Sequence, residues 1–564
     1  MLVGVLCIVA VNAIAPRLRV SAPLLLVVLG LLVSVQPFVA APVVEVDSEL
    51  ILAGVLPLLL FAAAVSMPAQ NFRRNLSTIT GLSVSLVVLT SLALGVFFSA
   101  MLPDLGFAGG VAMGAILSPT DAVATGIVKK LGVAPRVVDL LDGEAMLNDA
   151  SALVLLRSSI AATVTSVTVR GVAWKFAVSI FIATAVGIVV GMVALRVRKR
   201  IEQPTVNTLL SFAVPFLAYI PAEHLGASGL VAVVAAGLVT GQGAPRFLEP
   251  AHRINESLNW RTIEMLLEGG LFLIMGLQLF ALSRDVRATD ATIGFACMLA
   301  GIALAITLAV RAAWAGPLLF AVHQRQARYD RAKLRLEEFQ KDLVQTPAGR
   351  AALDEKEAHV VDGFRARVRR VLADAAYGTS SPLGARDGAL LVWAGMRGAI
   401  TLAAAETLPP EMPHRSLLVL VAFLVAAASL LVQGGTLGWV IRHLHFPPPD
   451  HATLEHERLA LVAEIEQAAL AVLDDPALRD TYDMHLIAIV RQRVVRADRE
   501  SSAFLGFTAL GPLLDRMFDA QRAHVLSARA DGIYSSEVLA NALTRIDQIQ
   551  LGIQLAKSDG PVGG

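Results

Sequence analysis

A chain of 564 residues that is 55% hydrophobic and 16% charged, with a mean hydropathy of +0.66, is too apolar for an ordinary soluble protein and has the composition of a polytopic membrane protein. Its formal net charge of +1 excludes the basic excess of a nucleic-acid binder. Two cysteines, Cys7 and Cys297, provide neither a disulfide framework nor a metal-ligand spacing, and no His-Glu zinc motif or Ser/His pair in the apolar runs points to an enzyme.

The first apolar run, "MLVGVLCIVAVNAIA", ends in a small-residue pattern like that of a cleavage site, but it has no basic residues before it. Arg17 and Arg19 follow it instead, which favours a retained first helix with its N-terminus outside. Runs of about 20 apolar residues predict further spans near 21–40, 49–68, 76–102, 107–128, 136–167, 172–195, 204–220, 226–242, 262–282, 288–321, 388–408 and 414–441. With the first run this makes thirteen. Alternate connections are basic, at Arg73 and Arg74, Lys129, Lys130 and Arg136, Arg196 to Arg200, and Arg246, Arg253 and Arg261. Those connections are expected on the cytoplasmic side, with the C-terminus cytoplasmic in a plasma membrane.

The connection at 322–386 is long, charged and helical in pattern, and reads as a solvated cytoplasmic surface helix. After "HFPPPD" the composition turns soluble, dividing the chain into a transmembrane domain over 1–443 and a cytoplasmic helical tail over 444–564. In the tail Leu539, Leu543, Ile546, Ile549 and Ile553 form the stripe of an amphipathic helix, a packing or dimerisation face before it is a sensor. His443 and His445 read as surface histidines.

Ionisable residues inside apolar runs cost about 2.5–3.5 kcal/mol each on insertion scales, so each needs a reason. Asp149 lies thirteen residues after Arg136 in "LLDGEAMLNDASALVLL", about 20 Å into its span, and Asp121 lies eight residues before Lys129 in the antiparallel neighbour. The two carboxylates can therefore meet at similar depth, and an ion or proton site is favoured over a structural hydrogen bond. Pro119 in "AILSPTDAVATG" and Gly395 and Gly398 around Arg397 in "LVWAGMRGAITLAAA" each interrupt a helix. One interrupted helix with a carboxylate and one with a guanidinium form the pattern of an inverted-repeat transporter core. Arg397 needs a partner, and Glu144, one turn from Asn148, is the expected one, which leaves Asp149 to titrate. Glu268 in "MLLEGGLFLIMG" is a further mid-span acid with functional and structural readings in balance, and Asp139 and Asp142 stand near the cytoplasmic mouth or at a solvated helix start.

The runs "LPLLLFAAAVSMPAQNFRRN", "GAILSPTDAVA", "LLDGEAMLNDASALVL", "SGLVAVVAAGLVTG", "GGLFLIMGLQL" and "MRGAITLAAA" together resemble the monovalent cation:proton antiporter-1 family, the sodium/proton exchangers with their NhaP-type members, over roughly residues 20–440. The resemblance implies an all-α, thirteen-helix homodimer with inverted repeats and two interrupted crossing helices. It assigns cation or proton binding to Asp149, places Asp121 and Thr120 at the crossing as further sodium ligands, and has Asn148 organise a Glu144 and Arg397 pair. Asn148, where other members carry a second acid, implies electroneutral exchange. Ala62 and Ala145 stand where the family commonly has an acid and a serine, so an ion here has fewer side-chain oxygens.

The expected function is antiport of a monovalent cation, Na+ before K+ or Li+, against H+, with no cofactor and with only ions, lipid and a second copy of the chain as partners. The alternative is a channel or membrane sensor that keeps the fold and signals through the tail.

Overall fold

The computed structural model describes residues 2–18, 20–34, 49–164, 169–287, 292–345, 383–446, 451–476, 484–496 and 511–558. Among these there is no strand. The helices are α1 (Leu2–Leu18), α2 (Ala22–Ser34), α3 (Leu56–Ser66), α4 (Ala69–Thr80), α5 (Leu86–Met101), α6 (Gly106–Leu117), α7 (Val123–Lys130), α8 (Pro135–Val164) and α9 (Val169–Arg198). They continue with α10 (Pro204–His224), α11 (Gly229–Phe247), α12 (Pro250–Arg287), α13 (Ile293–Gln345), α14 (Ala385–Trp393), α15 (Ala399–Glu406), α16 (Arg415–Ser429) and α17 (Gly435–Leu444). The tail contains α18 (His451–Leu473), α19 (Met484–Arg496), α20 (Gly511–Asp531) and α21 (Ser536–Ser558).

Among the described residues, six helical segments are long and apolar enough to cross a bilayer by themselves: Gln70–Met101, Phe176–Arg198, Pro204–His224, Gly229–Phe247, Ile293–Gln324 and Arg415–Leu444. The helix α8 falls outside that set because its own acids lower its hydropathy, and the runs expected at 107–128 and 388–408 fall outside it because each is two short helices. Pro119 lacks the N–H that would continue α6, so the chain leaves the helix at 118–122 and resumes at Val123. Gly398 is extended, with φ −124° and ψ −162°, and separates α14 from α15.

The charged connection after the eleventh predicted span does not begin a separate helix at 322. It prolongs α13 without a break to Gln345, since no glycine or proline stands between them to stop it, while 346–382 lie outside the described residues.

The chain forms two compact units. The first comprises 1–243, 256–323 and 383–448 and holds one large apolar core, in which α6 is buried continuously from Gly109 to Leu117. The second comprises 244–255, 324–382 and 449–564. In this unit α18 to α21 pack around Leu461, Leu513, Leu514 and Val525, and the predicted stripe is their seam, with Leu539, Ile546 and Ile553 buried and Leu543 and Ile549 packed against them. Tyr534 Oη and the His524 ring meet the Glu464 carboxylate at 2.8 and 2.9 Å. Burial works to raise that carboxyl, but the two bonds prevail and hold it below its ordinary range, while burial and the same carboxylate push Tyr534 up to about 12.

Arg253 belongs to this second unit. It donates through Nε to Asp547 at 2.8 Å and through Nη1 to the carbonyl of Pro245 at 3.2 Å, so the short connection between α11 and α12 is tied to α21. Arg522 shares Asp547 at 3.5 Å, which places two guanidiniums on one carboxylate.

Candidate functional site

The two breaks meet. The backbone N–H of Asp121 donates to the carbonyl of Met396 at 2.8 Å, so the non-helical segments 118–122 and 394–398 hold each other. Four helix ends converge there, and each end carries partial charge that apolar surroundings cannot satisfy. Guanidiniums serve the C-terminal ends: Arg397 Nε donates to the last carbonyl of α6, Leu117, at 2.8 Å, and Arg311 Nε donates to Leu391 in the last turn of α14 at 2.7 Å. Asp121 serves the N-terminal ends. Its Oδ1 accepts the first N–H of α7, from Val123, at 3.0 Å, and its Oδ2 lies against Gly398 at the start of α15.

The glycines are spacers for these side chains. A Cβ on Gly398 would stand 1.3 Å from Asp121 Oδ2, and one on Gly395 would stand 2.6 Å from Arg311 Nε. Gly398→Ala must therefore displace Asp121 or part the crossing, at about 1–3 kcal/mol of overpacking. We expect a lowered unfolding temperature in detergent and loss of cation-driven proton flux in proteoliposomes. Gly126→Ala, on α7 with nothing within 4 Å of the added carbon, should match the parent in both.

Glu144 is 1% exposed, and its guanidinium partner is Arg311 of α13, not Arg397. Both Arg311 Nη atoms donate to its carboxylate, Nη2 to Oε2 at 2.7 Å. Arg397 is held away by the carbonyls of Leu117 and Gly395, to which its side chain donates. Sequence reasoning passed over Arg311, although its signal was of the same kind as that of Arg397, a guanidinium inside an apolar run, "LAVRAAWAG".

Asn148 braces this pair at one remove. Its Nδ2 donates to Thr120 Oγ1 at 2.6 Å, and Thr120 Oγ1 donates in turn to Glu144 Oε1 at 3.1 Å. The Thr120 hydroxyl and carbonyl both take part in this bracing, the carbonyl at 3.3 Å from Asn148 Nδ2. That is a different duty from the ligand role expected of Thr120.

Asp149 is 3% exposed, and its Oδ1 is buried without a hydrogen-bond partner. The charge within its electrostatic reach is Asp121, another carboxylate. Asn148 Oδ1 is likewise buried without a partner. Asp121, Asp142, Glu264 and Glu268 all keep partial exposure. They are electrostatic neighbours in series, Asp142 with Glu264, Glu264 with Glu268, Glu268 with Asp121, and Asp121 with Asp149. The outer pair also feels Lys129, a residue of the predicted cytoplasmic connection. Glu268 thus joins the crossing to the outer acids. Asp139 is buried, and its carboxylate accepts from Asn71 Nδ2 of α4 at 2.7 Å, so it is not at a solvated helix start. Ala62 and Ala145 are buried methyl groups.

Such a site can hold a proton or a small cation on one buried carboxylate, because the counter-charges nearby are committed elsewhere. Residues 3–443 match the family model described as sodium/hydrogen exchanger, transmembrane. A Mycobacterium tuberculosis protein named as an uncharacterised Na+/H+ exchanger is 27% identical over 97% of this chain and 95% of its own length. An Escherichia coli protein of the same description is 28% identical over 96% of each chain. The fold is similar to that of the sodium proton antiporter MjNhaP1 from Methanocaldococcus jannaschii, with a TM-score of 0.53, 15% identity, and 78% of this chain and 97% of that one covered. With a family model spanning the entire interrupted-helix core and its flanking helices, this chain belongs to the transmembrane sodium/hydrogen exchanger family.

Proposed function

We propose that the chain exchanges a monovalent cation, sodium first, for a proton, one for one, with Asp149 holding either in turn. The observation that carries this is the isolation of Asp149: a buried carboxylate with an unpartnered oxygen at the crossing of two broken helices, beside a Glu144 whose charge Arg311 already neutralises. A proton or a cation neutralises Asp149 and lets the core move; the bare charge is too costly to carry through an apolar layer. Exclusive occupancy of one group then makes the two fluxes obligatory partners. Asn148, an amide bound to Thr120, adds no second charge to this position, which supports an electroneutral cycle. Asp121 is the second carboxylate for the cation, and the series Asp142, Glu264, Glu268 draws cations toward it from the side of Lys129.

The same reading takes the chain as a thirteen-span homodimer in the plasma membrane, N-terminus outside and tail in the cytoplasm, on the strength of its alternating basic connections and its family resemblance. The relatives reported above carry exchanger or antiporter names, which favours exchange over a channel.

The test is proton flux in proteoliposomes holding the whole chain and an imposed pH gradient. Added Na+ or Li+ should dissipate the gradient with saturation, at a rate indifferent to an imposed potassium diffusion potential. Unsaturable current that follows the potential would overturn the reading in favour of a channel.

A further inference from the structure

The hydroxyl of Thr401 is buried at the crossing and bonds to nothing. Thr401 is 1% exposed, and its Oγ1 has no hydrogen-bond partner. Thr184, Thr240 and Thr307, inside other spans, return their hydroxyl to a carbonyl three or four residues back. At Thr401 the carbonyl of Gly398 accepts the Thr401 backbone N–H at 3.2 Å and that of Arg397 accepts Ser429 Oγ at 3.3 Å, and neither accepts the hydroxyl.

Its place in α15 says what it faces. Gly398 is the N-cap residue and Thr401 the third helical position after it. In a capping box the side chains of these two positions lie together, because the later one leans back over the helix start. Gly398 has no side chain, and the space one would fill is taken by Asp121 Oδ2. Thr401 thus stands one turn into the helix whose start abuts the carboxylate of Asp121, and Asp149 feels the charge of that carboxylate. On the α8 side the position four residues before Asp149, on the same face, carries only the methyl of Ala145. Three buried oxygens without partners, Asp149 Oδ1, Asn148 Oδ1 and Thr401 Oγ1, belong to the two elements that flank Asp121. Leaving each unsatisfied costs about 1–3 kcal/mol, and a small hard cation, which takes several oxygen ligands, would satisfy such a group.

We infer that Thr401 supplies a hydroxyl ligand to the transported cation beside the carboxylates of Asp121 and Asp149. The inference rests on the exchange reading and adds a third element, α15, to the cation's ligands. A proton needs no such ligand, so Thr401 favours the cation-bound state over the protonated one.

The test compares Thr401→Val, which keeps shape and loses the hydroxyl, with Thr401→Ser, which keeps the hydroxyl, in proteoliposomes of the full chain. Thr401→Val should raise the half-saturating Na+ and Li+ concentrations about tenfold with the maximum rate within about twofold of the parent. It should also remove most of the Na+-dependent rise in unfolding temperature in detergent, and Thr401→Ser should restore both readouts. Should Thr401→Val not be recovered folded, Thr401→Ala carries the same comparison. Half-saturation within about twofold of the parent, a fall in maximum rate alone, or a Thr401→Ser variant as impaired as Thr401→Val would overturn the proposal. If Asp149→Asn abolishes exchange while the Thr401 variants behave as the parent, only the Thr401 role fails; if Asp149→Asn still exchanges, the reading beneath it fails.

Discussion

Asp149→Asn should reduce cation-driven proton flux to the level of liposomes without protein. Asparagine matches aspartate in size and can neither release a proton nor neutralise a cation, so the substitution removes the chemistry and spares the packing. Stability should not suffer. A buried carboxylate beside a second carboxylate is a cost to the fold, and its neutral replacement leaves the unfolding temperature unchanged or higher. The variant should also lose the stabilisation that Na+ confers on the parent, which at a concentration one hundred times the dissociation constant amounts to about 2.7 kcal/mol. If proton and cation compete for that one group, the half-saturating Na+ concentration of the parent should rise as pH falls, by about tenfold per unit where the protonated form dominates. Exchange retained by a folded Asp149→Asn would remove Asp149 from the centre of the mechanism, and a parent whose half-saturation ignored pH would remove the competition.

The parts of this site that sequence alone revealed are those with a local cause. Pro119 ends α6 because its own ring removes an N–H, and Gly395 and Gly398 mark the second break because glycine is a poor helix former; both breaks could be located without knowing any partner. Asp149 announced itself as a charge in an apolar run. The pairing of Glu144 is of another kind. Glu144 and Arg311 are separated by 167 positions, and choosing between two mid-span guanidiniums requires knowing which helix packs beside α8 at that depth. Hydropathy contains nothing that decides it. The same holds for Asp139, whose partner Asn71 lies on α4, 68 positions away. The continuation of α13 into the charged connection escaped notice for the opposite reason. A change from apolar to charged residues looks like an ending, yet helix geometry is indifferent to it unless a breaker intervenes. The Thr401 hydroxyl was invisible in the sequence because an unused hydrogen-bonding group is defined by what surrounds it.

Arg311→Leu should be the most damaging single change to the fold, and Glu144→Gln in the same chain should recover much of the loss. Glu144 is 1% exposed and Arg311 3% exposed, so removing the guanidinium strands a carboxylate in the core, at about 3–5 kcal/mol. Neutralising Glu144 as well removes the stranded charge, and a glutamine amide can still accept from Thr120 Oγ1. What the double variant cannot restore is the donation from Arg311 Nε to Leu391, so recovery should be partial. Arg397→Leu provides the contrast. Its guanidinium is spent on the carbonyls of Leu117 and Gly395, so Glu144→Gln should rescue Arg397→Leu far less than it rescues Arg311→Leu. The measurement is a pair of double-mutant cycles on unfolding temperature in detergent, with the coupling of Glu144 to Arg311 exceeding its coupling to Arg397 by about 1 kcal/mol or more. Equal couplings would return Arg397 to the role of partner. The consequence for transport follows from the same charges. While Arg311 neutralises Glu144, Arg397 serves the end of α6, and among the described residues no fixed cation is shown neutralising Asp149, which is the condition the exchange reading requires if a proton or a sodium ion is to do so by turns.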